Sequence, residues 1–124
     1  MSKRPRRNHA PAFKAKVALA AVRAHGHLLE VLANADAVVN AAGMSDATST
    51  DEGALYAANA ALPGLIAALC REAAVSRLVH VSSAAVQGDR VVLDDEPAEG
   101  AFSPYSRSKS LGEGLVREMG PAHA

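Results

Sequence analysis

Tryptophan is absent and only four of the 124 residues are aromatic, so any core must be assembled from small and medium aliphatic side chains. Cys70 is the only cysteine, which excludes an internal disulfide framework and a multi-cysteine zinc site. No uninterrupted apolar run approaches the ~20 residues that span a bilayer. The basic N-terminus lacks the apolar stretch and cleavage pattern of a secretory signal, so the cytoplasm is the expected compartment. No Gly-x-x-Gly-x-x-Gly sequence occurs anywhere, and with it goes the loop that receives a pyrophosphate at a helix N-terminus. Acidic residues are missing from positions 1–23, which carry Lys3, Arg4, Arg6, Arg7, Lys14, Lys16 and Arg23. The overall charge of zero is therefore a split: +7 in this segment against 6 − 13 = −7 in the rest.

What is present suits one small domain rich in alanine. Residues 1–10 have no periodicity, and Pro11 to Arg23 is helix-like around Phe13, Val17 and Leu19. Gly26 interrupts this pattern, His25-Gly26-His27 reads as a loop, and Leu28 to Leu32 reads as a second short helix. The run Ala37-Val38-Val39-Asn40-Ala41-Ala42-Gly43 has the β-branched character of a buried parallel strand that ends in small residues. Residues 44–53 are loop-like. An Ala/Leu helix is expected from Leu55 to Ala74, kinked or restarted at Pro63. Leu78-Val79-His80-Val81-Ser82-Ser83 reads as a second strand, and Val91–Leu93 as a possible short third one. Alternating strands and helices predict an α/β fold with a parallel sheet.

Ser103-Pro104-Tyr105-Ser106-Arg107-Ser108-Lys109 carries the chemistry. Ser103 is a good N-cap, Pro104 suits the first helical position, and Gly120-Pro121 ends the element. Tyr105 and Lys109 then fall one turn apart on one helix face. An ammonium beside a phenol favours the phenolate, which suits a tyrosine to proton transfer. In open parallel sheets ligands bind beyond the C-terminal strand ends, here Ala41-Ala42-Gly43 and Ser82-Ser83-Ala84. His80 reads as structural, Cys70 as packing, and Asp94-Asp95-Glu96 as a solvated acidic turn.

These pieces, in this order, resemble the short-chain dehydrogenase/reductase superfamily, in particular its extended branch of NAD-dependent epimerases and dehydratases. Residues 37–43 look like its fourth strand and cofactor loop, Asn59 opens a stretch like its Asn-Val-x-Gly helix, and Val81 to Gly88 looks like its Ser-Ser-x-x-Val-Tyr-Gly motif. Glu113 completes a Ser-Lys-x-x-x-Glu ending. The resemblance spans 28–119 and implies a partial Rossmann-like domain there, with 120–124 as a tail. It implies that Tyr105 is the general acid/base, that Lys109 assists it and binds the nicotinamide ribose, and that Ser83 holds the substrate oxygen. Ala41, Ala42 and Gly43 would line NAD or NADP, and Asn59 would support the strand loops. The implied substrate is a small molecule such as a nucleotide sugar, converted by oxidation, epimerisation or dehydration. Gln87 stands where the family motif often has tyrosine. Without the glycine loop and the strands before and after it, the chain reads as the truncated middle of a domain with impaired activity.

Arg6 to Ala21 resembles a different family, the opening of the orfA subunit of IS3-type transposases, which gives a boundary for a basic segment 1–25. The match fades before a recognition helix, so it implies at most weak, salt-sensitive, non-specific binding to nucleic acid. A transposase-derived DNA-binding fragment is accordingly one alternative function. An inactive remnant or interaction module is another, because open strand edges invite pairing.

Overall fold

The computed structural model describes residues 25–96 and 100–122; all of the basic segment 1–25 except His25 lies outside them. Residues 25–33 form helix α1, followed by β1 (Ala37–Asn40), α2 (Glu52–Glu72), β2 (Arg77–His80), a 3-10 turn (Ala84–Gln87) and α3 (Pro104–Met119). His25-Gly26-His27, expected in a loop, belongs to α1. The apolar stripe Leu28, Leu29 and Leu32 packs into the core, and it outweighs the roughly 1 kcal/mol that a helical glycine costs.

The two strands pair in parallel, Ala37 opposite Arg77 through Asn40 opposite His80. Side chains alternate across such a ladder. Val38, Asn40, Leu78 and His80 face the helices, whereas Val39 and Val79 on the other face are exposed. The core joins Leu32 of α1, Ala67, Leu69 and Cys70 of α2, Leu78 of β2 and Val116 of α3. Leu69 and Leu78 are 1% and 2% exposed, and full burial of such a side chain contributes roughly 1.5–3 kcal/mol. Burial also pushes the Cys70 thiol up from its ordinary value, away from the thiolate form that would react.

Helix α2 starts where Asp51 accepts a hydrogen bond from the Ala54 N–H at 3.0 Å, an N-cap. It widens into a π-helical turn over Ala57–Ala61 and resumes as α-helix at Leu62–Glu72. Pro63 therefore marks a restart, seated in the first turn of the resumed segment, where a missing N–H does least harm. By length and composition α2 is apolar enough to cross a membrane. Counting uninterrupted apolar residues missed this because Asn59 breaks the run. Its buried face of Leu55, Asn59, Ala60, Ala67 and Leu69 packs inside this domain, as a core helix does.

Helix α3 begins at Ser103, whose Oγ accepts from the Ser106 N–H at 3.0 Å while Ser106 Oγ accepts from the Ser103 N–H at 2.9 Å. This reciprocal capping box fixes the helix start, and so the direction of Tyr105 and Lys109. Val91–Leu93 is not a strand. Among the described residues no strand lies beside it to receive its backbone groups, and Val91 is fully exposed.

Candidate active site

Tyr105 and Lys109 are buried on the inner face of α3, at 8% and 7% exposure. Together with Ala41, Gly43, Met44 and Ser45 from the end of β1, and Val81 and Ser82 from the end of β2, they line a pocket of about 200 Å³. The expected helix pair and the two expected strand ends thus meet in one place. A lysine is rarely this buried without a functional or charge-pairing reason. A larger hollow of about 470 Å³ runs along the outer face of α3 beside Arg107, Leu111 and Glu118. It is an open groove remote from Tyr105 and Lys109, so the smaller pocket is the better candidate.

Asn59 organises the site from below. It is fully buried; its Oδ1 accepts from the Met44 N–H at 2.8 Å, and its Nδ2 donates to the Met44 carbonyl at 3.1 Å. The same Nδ2 donates to Ser108 Oγ at 3.1 Å, and that hydroxyl donates to the Tyr105 carbonyl at 2.7 Å. One side chain therefore ties the β1 loop to the helix that carries Tyr105. A β-carbon at Gly43 would stand 2.8 Å from Asn59 Oδ1 and 3.2 Å from Lys109 Nζ, so only glycine lets the loop lie this close to both. Ala42 is pinned separately, its N–H donating to Asn40 Oδ1 at 3.1 Å.

Ser83 does not line this pocket. It caps the 3-10 turn, accepting from the Ala85 N–H at 3.2 Å. Ser82, one residue earlier, takes the wall position. Period-two alternation along Leu78, His80 and Ser82 carries that information in the sequence. Gln87 pairs through both ends of its amide with the backbone of Asp94, accepting from the Asp94 N–H at 3.1 Å and donating to its carbonyl. In place of an aromatic ring at this position, the chain has a clamp on loop 88–94. Ser108, Met44 and Ser45 had no sequence signal beyond their neighbourhood.

His80 completes the surroundings. Burial holds its imidazole below the ordinary value, the Lys109 ammonium adds to this, and Glu113 opposes it. Among the described residues no group of three or more His, Cys, Asp or Glu is placed to hold a metal ion. Asp94 instead accepts from Arg90 at 2.8 Å in an exposed ion pair, of a kind worth little in stability.

Solved structures share this arrangement of strands and helices. MoeE5, solved with UDP-glucuronic acid and NAD, superposes with a TM-score of 0.67 at 24% identity over 74% of this chain and 32% of its own. The dTDP-4-dehydrorhamnose reductase of Bacillus anthracis str. Ames, solved with NADP, gives 0.67 at 22% identity over 77% of this chain and 36% of its own. The UDP-glucuronic acid 4-epimerase of Bacillus cereus, solved with NAD, gives 0.64 at 22% over 74% and 30%. The chain thus spans about a third of the length of these structures, and the shared fold is Rossmann-like. No curated protein sequence matches the chain significantly. The model of the NAD dependent epimerase/dehydratase family matches residues 2–124, including the basic segment. The chain belongs to the NAD dependent epimerase/dehydratase family.

Proposed function

We propose that this chain carries the acid/base half of an NAD(P)-dependent epimerase, dehydratase or reductase acting on a hydroxyl or ketone of a nucleotide sugar or similar substrate. The observation that carries the reading is the convergence of Tyr105 and Lys109 with both strand ends on one pocket. The ligands of the structural neighbours, UDP-sugars with NAD in MoeE5, support the substrate class.

The residues fit the nicotinamide end of the cofactor. Gly43 leaves its backbone open to close approach, and Lys109 offers a buried ammonium beside it. The pocket is smaller than the roughly 300–1,000 Å³ of a whole-ligand site, so it takes a ring or a ribose and not a complete dinucleotide. Bound there, the nicotinamide would supply hydride transfer. Tyr105 exchanges the proton of the substrate hydroxyl, and Lys109 stabilises the phenolate that results. Ser82, on the pocket wall and with no protein partner for its hydroxyl among the described residues, donates to the substrate oxygen, while Ser83 caps the turn that follows. Asn59 acts at one remove, through Met44 and Ser108. The sequence contains no glycine-rich loop for the pyrophosphate, so the chain alone binds dinucleotide weakly and turns over slowly.

Titration of the chain with NAD(H) and NADP(H), followed by calorimetry, tests this. Weak binding that is lost in Lys109→Met and kept in Tyr105→Phe supports the reading. Binding indifferent to Lys109→Met, or no binding at any attainable concentration, overturns it.

A further inference from the structure

The loop that follows β1 hangs on two asparagine side chains. Asn59 holds its far end by bonding both backbone groups of Met44. Asn40, the last residue of β1 and 5% exposed, holds the near end, its Oδ1 accepting from the Ala42 N–H at 3.1 Å. Between the two clamps, Ala41 and Gly43 line the pocket of Tyr105 and Lys109. The clamps differ in what stands behind them. Asn59 donates to a carbonyl and a serine hydroxyl, groups that do not titrate. The Asn40 amide leans instead on His80, its partner across the ladder, with Nδ2 3.2 Å from His80 Nδ1.

These bonds fix the state of the imidazole. A backbone N–H only donates, so the Asn40 atom that meets Ala42 is the oxygen and the one that meets His80 is the NH₂. His80 Nδ1 must then accept, and the proton of the neutral ring sits on Nε2. Nε2 is buried with no protein partner among the described residues, and His80 lines a cavity of about 190 Å³ with Ser82, Glu113, Val116 and Arg117. An imidazolium carries an N–H on both nitrogens. Its Nδ1–H would meet the Asn40 NH₂ donor to donor. Turning the amide over relieves that clash and creates the same one at the Ala42 N–H. With the ring charged, Asn40 can serve His80 or Ala42 and never both.

We propose that His80 is a positioning residue for this loop: neutral, it keeps Asn40 turned toward Ala42, and its protonation releases the Ala42 clamp and weakens dinucleotide binding. The link to binding rests on the reading of Ala41, Ala42 and Gly43 as the cofactor loop. The charged groups that face the ring stand on α3: Lys109, Glu113 and Arg117, the last two paired at 3.4 Å. Strand β1 contributes the uncharged Asn40, β2 itself the hydroxyl of Ser82, and α2, among the described residues, nothing to the cavity. Burial, then the Lys109 ammonium, hold the folded ring neutral below its ordinary 6.5, and Glu113 opposes them. The clamp is therefore closed at pH 6.5 and above, and it opens as pH falls through the lower folded value. Asn59 has no titrating partner, so the far end of the loop stays fixed while the near end lets go.

Nitrogen-15 NMR of the full chain, titrated downward from about pH 8 without ligand, tests the clamp. The wild type should show an Nε2–H tautomer for His80. Its Ala42 amide proton should leave its hydrogen-bonded shift at the midpoint of the His80 ring, while Val79 in the ladder stays protected. Asn40→Asp separates this from a bare charge effect. Its carboxylate accepts from Ala42 and from the imidazolium together, so the His80 midpoint should rise and Ala42 should stay bonded through it. His80→Gln offers Asn40 an acceptor at every pH, so Ala42 should stay bonded throughout. NAD(H) affinity should fall several-fold across the wild-type midpoint and stay level in His80→Gln. An Nδ1–H tautomer, an Ala42 amide indifferent to the His80 midpoint, or one lost only together with Val79 overturns the proposal, and the wild type alone decides these where a variant does not fold. Equal movement of Ala42 in wild type and Asn40→Asp overturns it too, and equal NAD(H) affinity on both sides of the midpoint overturns the link to binding. NAD(H) that binds at no pH while Ala42 follows His80 removes the cofactor reading and leaves the clamp; NAD(H) that binds while Ala42 ignores His80 removes the clamp alone.

Discussion

The carbonyl oxygen of Asn59 packs directly on Gly112 of α3, with no room for a β-carbon between them. This contact joins the wide turn of α2 to the helix that carries Tyr105 and Lys109, backbone against backbone. The obstacle to a side chain at 112 is main chain, which cannot swing aside. Gly112→Ala is therefore expected to destabilise the chain by about 1–3 kcal/mol, the range of overpacked cores. Two positions on, a β-carbon at Gly114 meets nothing within 4 Å. Gly114→Ala should stabilise by roughly 0.5–1 kcal/mol through helix propensity alone. Urea unfolding of the two variants should move in opposite directions, and equal shifts would contradict the close approach.

Asn59 satisfies the N–H and carbonyl of Met44 and donates to Ser108 from a fully buried position. Asn59→Ala strands these groups, each at about 1–3 kcal/mol when left buried without a partner. The loop after β1 should then loosen before the sheet does. Amide exchange reads this directly: Met44 should lose its protection in the variant, while Val79 in the ladder keeps most of its own. Retained protection at Met44 would show that the loop is held by something else.

Much of this arrangement is legible in the sequence, and the exceptions have physical causes. Ser103 and Pro104 announce α3, and the valine-rich apolar runs at Val38–Val39 and Leu78–Val81 announce the strands, because caps and strand propensity are local properties. The π-helical turn at Ala57–Ala61 has no local signature; an alanine-rich stretch favours regular helix, and the widening coincides with the packing of Asn59 against Gly112, 53 positions away in the chain. Val91–Leu93 misleads for the opposite reason. Its β-branched residues meet the local rule, yet among the described residues no neighbouring strand completes a ladder. Alternation along β2 carries Ser82 to the wall of the pocket, and Ser83, which the family resemblance assigns to the substrate oxygen, caps the turn that follows.

Ala74 ends the connection from α2 in the left-handed region, at φ 56°. The Val75 N–H donates to the Cys70 carbonyl at 2.9 Å and the Ala74 N–H to the Arg71 carbonyl at 3.2 Å, the double closure of a Schellman motif. Glycine is the usual residue there, since a β-carbon costs roughly 1–2 kcal/mol in this conformation. Ala74 is exposed, so its methyl contributes little packing in return. Ala74→Gly should raise stability by about 0.5–1 kcal/mol after the added chain entropy of glycine is set against that strain. A thermal midpoint that falls would mean the methyl packs in a way the fold does not show.

His80 gives the stability of the chain a pH dependence with a definite sign. Burial, then Lys109, depresses its imidazole below the ordinary value of 6.5. The folded state thus binds the proton less readily than the unfolded one, and the neutral ring is the form the fold accommodates. The contribution is fully present above pH 6.5 and is lost as pH falls from there through the lower folded value. Urea midpoints measured downward from about pH 8 should therefore decline across this window in the wild type. His80→Gln removes the titrating ring and should flatten the decline, whatever its effect on the absolute midpoint. Glu113→Gln removes the charge that favours the imidazolium, so it should extend the decline to lower pH, and Lys109→Met should shift it the other way. Identical slopes in wild type and His80→Gln would place the titration on other groups.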